Sequence, residues 1–152
     1  MSEPARLLTI GYEGTTLALV LDTLKAADVR HLIDVRALPQ SRKPGFSKRL
    51  LSASLAEIGV GYSHLRGLGT PKAGRDAVRH GDFAAMHRIY AGQLETPEAQ
   101  HDLALARSIA GGKTSCLLCF ERDHTHCHRD IVAGLICDDT KLPLVHLQAS
   151  LP

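Results

Sequence analysis

Thr114-Ser-Cys-Leu-Leu-Cys-Phe120, running into Glu121-Arg-Asp-His-Thr-His-Cys127-His128-Arg129, is the stretch on which the reading of the fold turns. Its first seven residues carry no charge and no turn former, the pattern of a strand buried on both faces in the middle of a parallel sheet. Gly111-Gly112 stops whatever precedes it, and the polar segment 121–127 stops the strand in turn. Beyond it, Ile131, Val132, Leu135 and Ile136 recur at helical spacing over 128–138, and Pro143 to Leu147 reads as a closing strand.

Upstream the same alternation repeats. Leu7-Leu8-Thr9-Ile10, closed by Gly11, reads as a first strand, and Thr15 or Thr16 can cap a helix over 17–27. His31 to Val35 reads as a second strand, and the two prolines between Arg36 and Gly45 make that segment a loop. Ser47 can cap a helix that runs to Ile58 and is ended by Gly59; Gly61 to Leu65 is a short third strand. Residues 66–81, rich in glycine and charge, read as a long exposed loop. Helices over 82–92 and 97–110 follow, the second with Thr96 as N-cap and Pro97 at its first position. The expectation is a single α/β domain over 1–152: a three-layer sandwich with a mostly parallel sheet of about five strands and helices on both faces.

A chain of 152 residues, 44% hydrophobic and 22% charged, is long enough and apolar enough to bury a core. Aromatics at 4% and the lack of Trp argue against a surface that stacks bases along a single strand. No apolar run suits a membrane helix, and Met1 to Arg6 lacks the order of an export leader, so a cytoplasmic protein with no membrane partner is expected. Four cysteines then read as thiols or ligands before disulfides. The net charge of +2 is unevenly spread: Arg36 to Arg79 holds nine Lys/Arg against Glu57 and Asp76, a balance of +7, leaving −5 elsewhere. Such polarity suits a phosphate-bearing small molecule or nucleic acid, or else a solvated basic loop.

In a parallel sheet ligands bind outside the carboxyl ends of the strands. The residues expected there are Gly11 and Tyr12 after strand one, Asp34 and Arg36 after strand two, His64 after strand three, and Cys119 and Glu121 after strand four. A helix starting near Cys127 or His128 turns its free N–H groups toward the same loop, where they favour a thiolate or an anion. Cys116 shares a Cys-x-x-Cys spacing with Cys119, but strand residues three apart face opposite ways, so Cys116 reads as core, as does Cys137. For Cys119 and Cys127 three readings stand: zinc ligands with His124, His126 or His128; a reversible thiol pair; or a nucleophile at Cys119. His31, His80, His87, His101 and His146 have no supporting context, and His124 and His126 can equally be exposed loop residues. Asp34 and Arg36 can equally be a structural ion pair.

Four ordered motifs carry a resemblance. They are Thr9-Ile10-Gly11-Tyr12; Leu32-Ile33-Asp34-Val35-Arg36 with Pro39, Ser41-Arg42 and Phe46; Tyr62-x-His64-Leu65-x-x-Leu68-Gly69; and Cys119-x-Glu121-x5-Cys127-His128-Arg129. The chain resembles, over nearly its full length, the uncharacterised bacterial and archaeal family named domain of unknown function 488. That resemblance implies an α/β fold and a site made from these motifs, without naming a reaction or a cofactor. Leu32 to Arg36 is also similar to a strand motif of rhodanese sulfurtransferases, but the compact Cys-loop of that group is missing. A phosphatase-type Cys-x5-Arg fails too, because position 125 is Thr.

The first functional expectation is an enzyme acting on a phosphate-bearing substrate. Arg36, Arg42, Lys43 and Arg129, with Gly11 and Tyr12, would hold it. Cys119, Glu121, Cys127, His128, Asp34 and His64 would supply thiol and proton chemistry. The alternative is a non-catalytic nucleic-acid-binding or regulatory module, its Cys/His loop stabilised by zinc.

Overall fold

The computed structural model describes residues 5–149; the first residues, on which the leader argument rested, lie outside that span. The chain runs β1 (Leu7–Gly11), α1 (Leu17–Ala26), β2 (His31–Asp34), α2 (Lys48–Glu57), β3 (Gly61–His64), α3 (Lys72–Arg79), α4 (Phe83–Leu94), α5 (Pro97–Gly112), β4 (Ser115–Cys119), α6 (His128–Thr140) and β5 (Leu144–His146). Single 3₁₀ turns lie at Arg66–Leu68 and His124–His126. No helix among the described residues is long and apolar enough to cross a membrane.

The five strands form one sheet in the order β3-β2-β4-β1-β5, and every pairing is parallel. β4 is interior and buried throughout, as its uncharged, mostly apolar run requires. Its side chains alternate between two cores. Cys116 and Leu118 pack with Val20, Leu24, Leu51 and Leu55 of α1 and α2, whereas Leu117 and Cys119 pack with Met86, Tyr90, Leu103 and Val132 of α4, α5 and α6. Cys116 therefore faces away from Cys119 and is fully buried, with burial pushing its thiol well above the ordinary range.

The chain leaves β1 and β2 toward one edge of the sheet through α1 and α2, and leaves β4 toward the other edge through α6 on the opposite face. Loops from neighbouring strands thus part company around the carboxyl end of β4. This is the topological switch point where open α/β sheets leave a crevice.

Two local expectations are corrected. Residues 66–81 are not a bare loop: they hold the Arg66–Leu68 turn and α3. Their glycines serve close packing, since a Cβ at Gly69 would run into the Ala37 backbone and one at Gly74 into the Thr70 methyl. α3 is held by Lys72–Asp76 (3.2 Å) and Arg79–Asp76 (3.4 Å) pairs at helical spacing. Ser47 precedes α2 but makes no capping bond; its hydroxyl exchanges hydrogen bonds with Ser41 N and O instead. Thr16 and Thr96 do cap α1 and α5, through Leu19 N and Ala99 N.

Candidate functional site

Tyr12, Arg36, Cys119, Glu121, Cys127 and His128 line one cleft of about 390 Å3 at the carboxyl ends of β1, β2 and β4. Ser41 and Thr70 join them, and α3 supplies Arg75 and Arg79 to the lining. Those two arginines went unrecognised as site residues because the segment carrying them reads as a loop. The one sequence signal they gave was their share in the basic excess.

Arg129 sits behind the sulfurs, 1% exposed, in the first turn of α6. Its Nη1 donates to Cys119 Sγ at 2.8 Å and to the Glu121 carbonyl, and Nη2 donates to the Arg122 carbonyl at 3.2 Å. Nε has no hydrogen-bond acceptor, and among the described residues no carboxylate pairs with the guanidinium. Burial accordingly draws the Arg129 pKa downward. Gly11 makes this approach feasible, since a Cβ there would collide with the Glu121 carbonyl and touch Arg129 Nη1.

Cys119 and Cys127 meet sulfur to sulfur as a disulfide, with Cα atoms 7.6 Å apart. Cys127 is also the N-cap of α6, its Sγ accepting from Arg129 N at 3.5 Å. Glu121 Oε2 lies 3.7 Å from Cys119 Sγ, and burial raises this carboxyl above the usual carboxylate range. His128 is enclosed, and burial lowers its pKa to about 4, so the ring is neutral at pH 7. Its Nε2 meets the Val35 carbonyl at 2.6 Å, which places the N–H there and leaves Nδ1 as an acceptor 3.6 Å from Cys127 Sγ. Cys119, Glu121 and Cys127 are close enough to share a metal ion, their donor atoms all within 4.8 Å. The Arg129 cation already bonded to Cys119 opposes a second cation there.

Other expected site residues lie beside the cleft. Asp34 is fully buried and binds Arg36 bidentately, at 2.9 Å to Nε and 2.7 Å to Nη2, while Tyr62 Oη donates to it at 2.5 Å. Burial works to lower the Arg36 pKa, but the Asp34 hydrogen bonds and charge prevail and raise it. Arg36 further bonds the Phe46 carbonyl at 2.7 Å and Tyr12 Oη at 3.2 Å, so it braces the loop after β2 while touching the cleft. His64 Nε2 meets the Arg36 carbonyl at 2.7 Å and does not line the cleft. Lys43 Nζ donates to the Thr15 carbonyl at 2.7 Å, and Arg42 borders a shallow hollow that adjoins the cleft through Leu38, Gln40 and Ser41.

The family model described as domain of unknown function DUF488 matches residues 16–136, four-fifths of the chain. The chain belongs to that family. The matched span holds the loop after β2, α3, and Cys119 through Arg129, while Gly11 and Tyr12 precede it. No curated protein and no solved structure matches the chain.

Proposed function

We propose that this family member is an enzyme that binds a small phosphate-bearing substrate at the switch-point cleft and acts on it through Cys119. Arg129 carries the reading: a buried guanidinium without a carboxylate partner donates to Cys119 Sγ at 2.8 Å. A charge withdrawn from water needs a compensating one nearby. When the disulfide is reduced, the Cys119 thiolate supplies it, and the thiolate is the nucleophilic form of cysteine. Glu121, whose carboxyl burial shifts upward, stands beside the sulfur, where in its protonated form it could deliver a proton to a leaving group. Cys127 is the second thiol: an external disulfide, itself reduced to two thiols by exchange, would supply the oxidation that closes the pair and shields Cys119, and a dithiol reductant would reopen it.

The phosphate would lie between the sulfurs and α3. Arg75, braced by Nη1 on the Thr70 carbonyl at 2.8 Å, and Arg79 face it across the cleft, with the Ser41 and Thr70 side chains alongside. A volume of about 390 Å3 fits a small molecule of nucleotide size. A nucleic-acid module has less support, because Arg66 pairs with Glu98 and Lys72 with Asp76, which removes part of the basic excess.

The test uses the reduced protein, with iodoacetamide as the thiol probe and inorganic phosphate and nucleoside phosphates as ligands. Cys119 is expected to alkylate well below the pH of an ordinary thiol, and a bound phosphate compound to slow it. Arg75→Ala with Arg79→Ala should abolish that protection while leaving the unprotected rate unchanged. An ordinary thiol pH profile at Cys119, with no protection by any phosphate compound, sinks the reading.

A further inference from the structure

Away from the thiol cleft, three side chains distant in sequence converge. His124 comes from the turn after β4, Asp130 from the first turn of α6, and His146 from β5. We propose that His124, Asp130 and His146 form a binding site for a divalent metal ion of the zinc class, separate from Cys119 and Cys127. Nothing in the spacing of these residues marks them as a set; the parallel docking of β5 on β1 brings His146 over the loop that follows β4.

His124 Nδ1 lies 2.9 Å from Asp130 Oδ1, and His146 Nε2 lies 3.6 Å from the same oxygen. The donor atoms of all three fall within 4.8 Å of one another. Zinc–nitrogen and zinc–carboxylate bonds of about 2.0–2.2 Å set tetrahedral ligands roughly 3.3 Å apart. The two measured separations bracket that value, and a turn of the two rings out of their parallel stack would aim both nitrogen lone pairs at one ion. Two imidazoles and a carboxylate are a donor set suited to zinc and neighbouring first-row metals.

A supporting contact orients one ligand. Thr9, fully buried on β1, places Oγ1 2.6 Å from His146 Nδ1. With the Nδ1 proton held there, the Nε2 lone pair points at Asp130, the arrangement by which metal-binding histidines are fixed from behind. The two rings stack in parallel, with centroids 3.5 Å apart and planes at 2°. All three residues are only partly buried, which leaves a side open for water as a fourth ligand. An ion there would tie β5 to the 121–127 loop and so steady the segment that carries Glu121 and Cys127. Its presence does not depend on the chemistry proposed for Cys119.

The experiment takes full-length protein purified without a histidine tag, stripped with EDTA and reduced, and titrates it with Zn2+ by calorimetry and with Co2+ by absorbance. One equivalent is expected to bind, with a cobalt spectrum that lacks sulfur-to-metal charge transfer. His124→Ala and His146→Ala should each abolish binding, and Thr9→Val should weaken it about 10–100-fold as the loss of an orienting contact does. Cys119→Ser and Cys127→Ser should leave it unchanged. No binding to the wild-type protein would overturn the proposal. So would a thiolate charge-transfer band, or binding that the cysteine variants lose and the histidine variants keep.

Discussion

Two buried arginines have opposite surroundings. Arg36 is closed against Asp34, Tyr12 and the Phe46 carbonyl, and its charge is spent on holding the loop after β2. Arg129 has only carbonyls and a sulfur. Arg129→Gln should therefore move the midpoint of Cys119 alkylation up by about one pH unit or more, since an adjacent cation lowers a thiol pKa by that order. An unchanged midpoint would mean that the guanidinium does not support the thiolate. His128 gives a second expectation, in stability. Its folded pKa of about 4 lies below the unfolded value of 6.5, so the unfolded chain binds more protons between those pH values. The contribution is present above pH 6.5 and is lost as pH falls toward 4, a change of about 3 kcal/mol at most. Urea unfolding at several pH values should show a flatter profile over that window for His128→Gln, although that variant is less stable at pH 7. Comparison of the two proteins cancels the opposite trend from Glu121, whose raised carboxyl pKa favours the folded state at low pH.

Helix starts were legible wherever a side chain closes on the first turn. Thr96 before Pro97 gave α5 correctly, and Thr96→Ala should cost about 1 kcal/mol in chemical unfolding. Cys127 is a less usual N-cap because its sulfur serves both the Arg129 N–H and the cleft. Cys127→Ser keeps an acceptor there and should unfold within about 0.5 kcal/mol of the reduced wild type, whereas Cys127→Ala should lose more. Equal losses for the two variants would show that the cap contributes nothing. α3 was not legible, since glycine and charge density are the usual marks of a loop. Its Gly74 answers instead to the Thr70 methyl, a neighbour that no local pattern reveals.

Over the whole molecule the sheet order decides where chemistry can occur. Interior β4 joins β2 to β1, and its two faces anchor both cores. Its amides should exchange with solvent only through global unfolding, while those of the partly exposed edge strand β5 and the 121–127 loop exchange through local opening. Native-state hydrogen exchange checks this, and fast exchange across β4 would contradict the placement of the core. The list of strand-end residues was read correctly as one rim, because alternating strands and helices in a parallel sheet bring all carboxyl ends to one edge. Which rim residues face the cleft was not readable, since that depends on strand order and on hydrogen bonds across the sheet. Asp34 and His64 stand at the right level yet are occupied by Arg36, Tyr62 and the Arg36 carbonyl.

By itself the sequence determined the layers, the interior strand, the separation of Cys116 from Cys119, and the loop between Cys119 and Cys127. Periodicity and burial act over neighbouring residues, so they are written locally. Only the tertiary structure brought Arg75 and Arg79 into one cleft with the two cysteines and set Arg129 against Cys119 without a carboxylate. It also stacked His124 on His146 above Asp130. Those meetings join residues up to 52 positions apart, and their geometry follows from how β4, β1 and β5 align side by side.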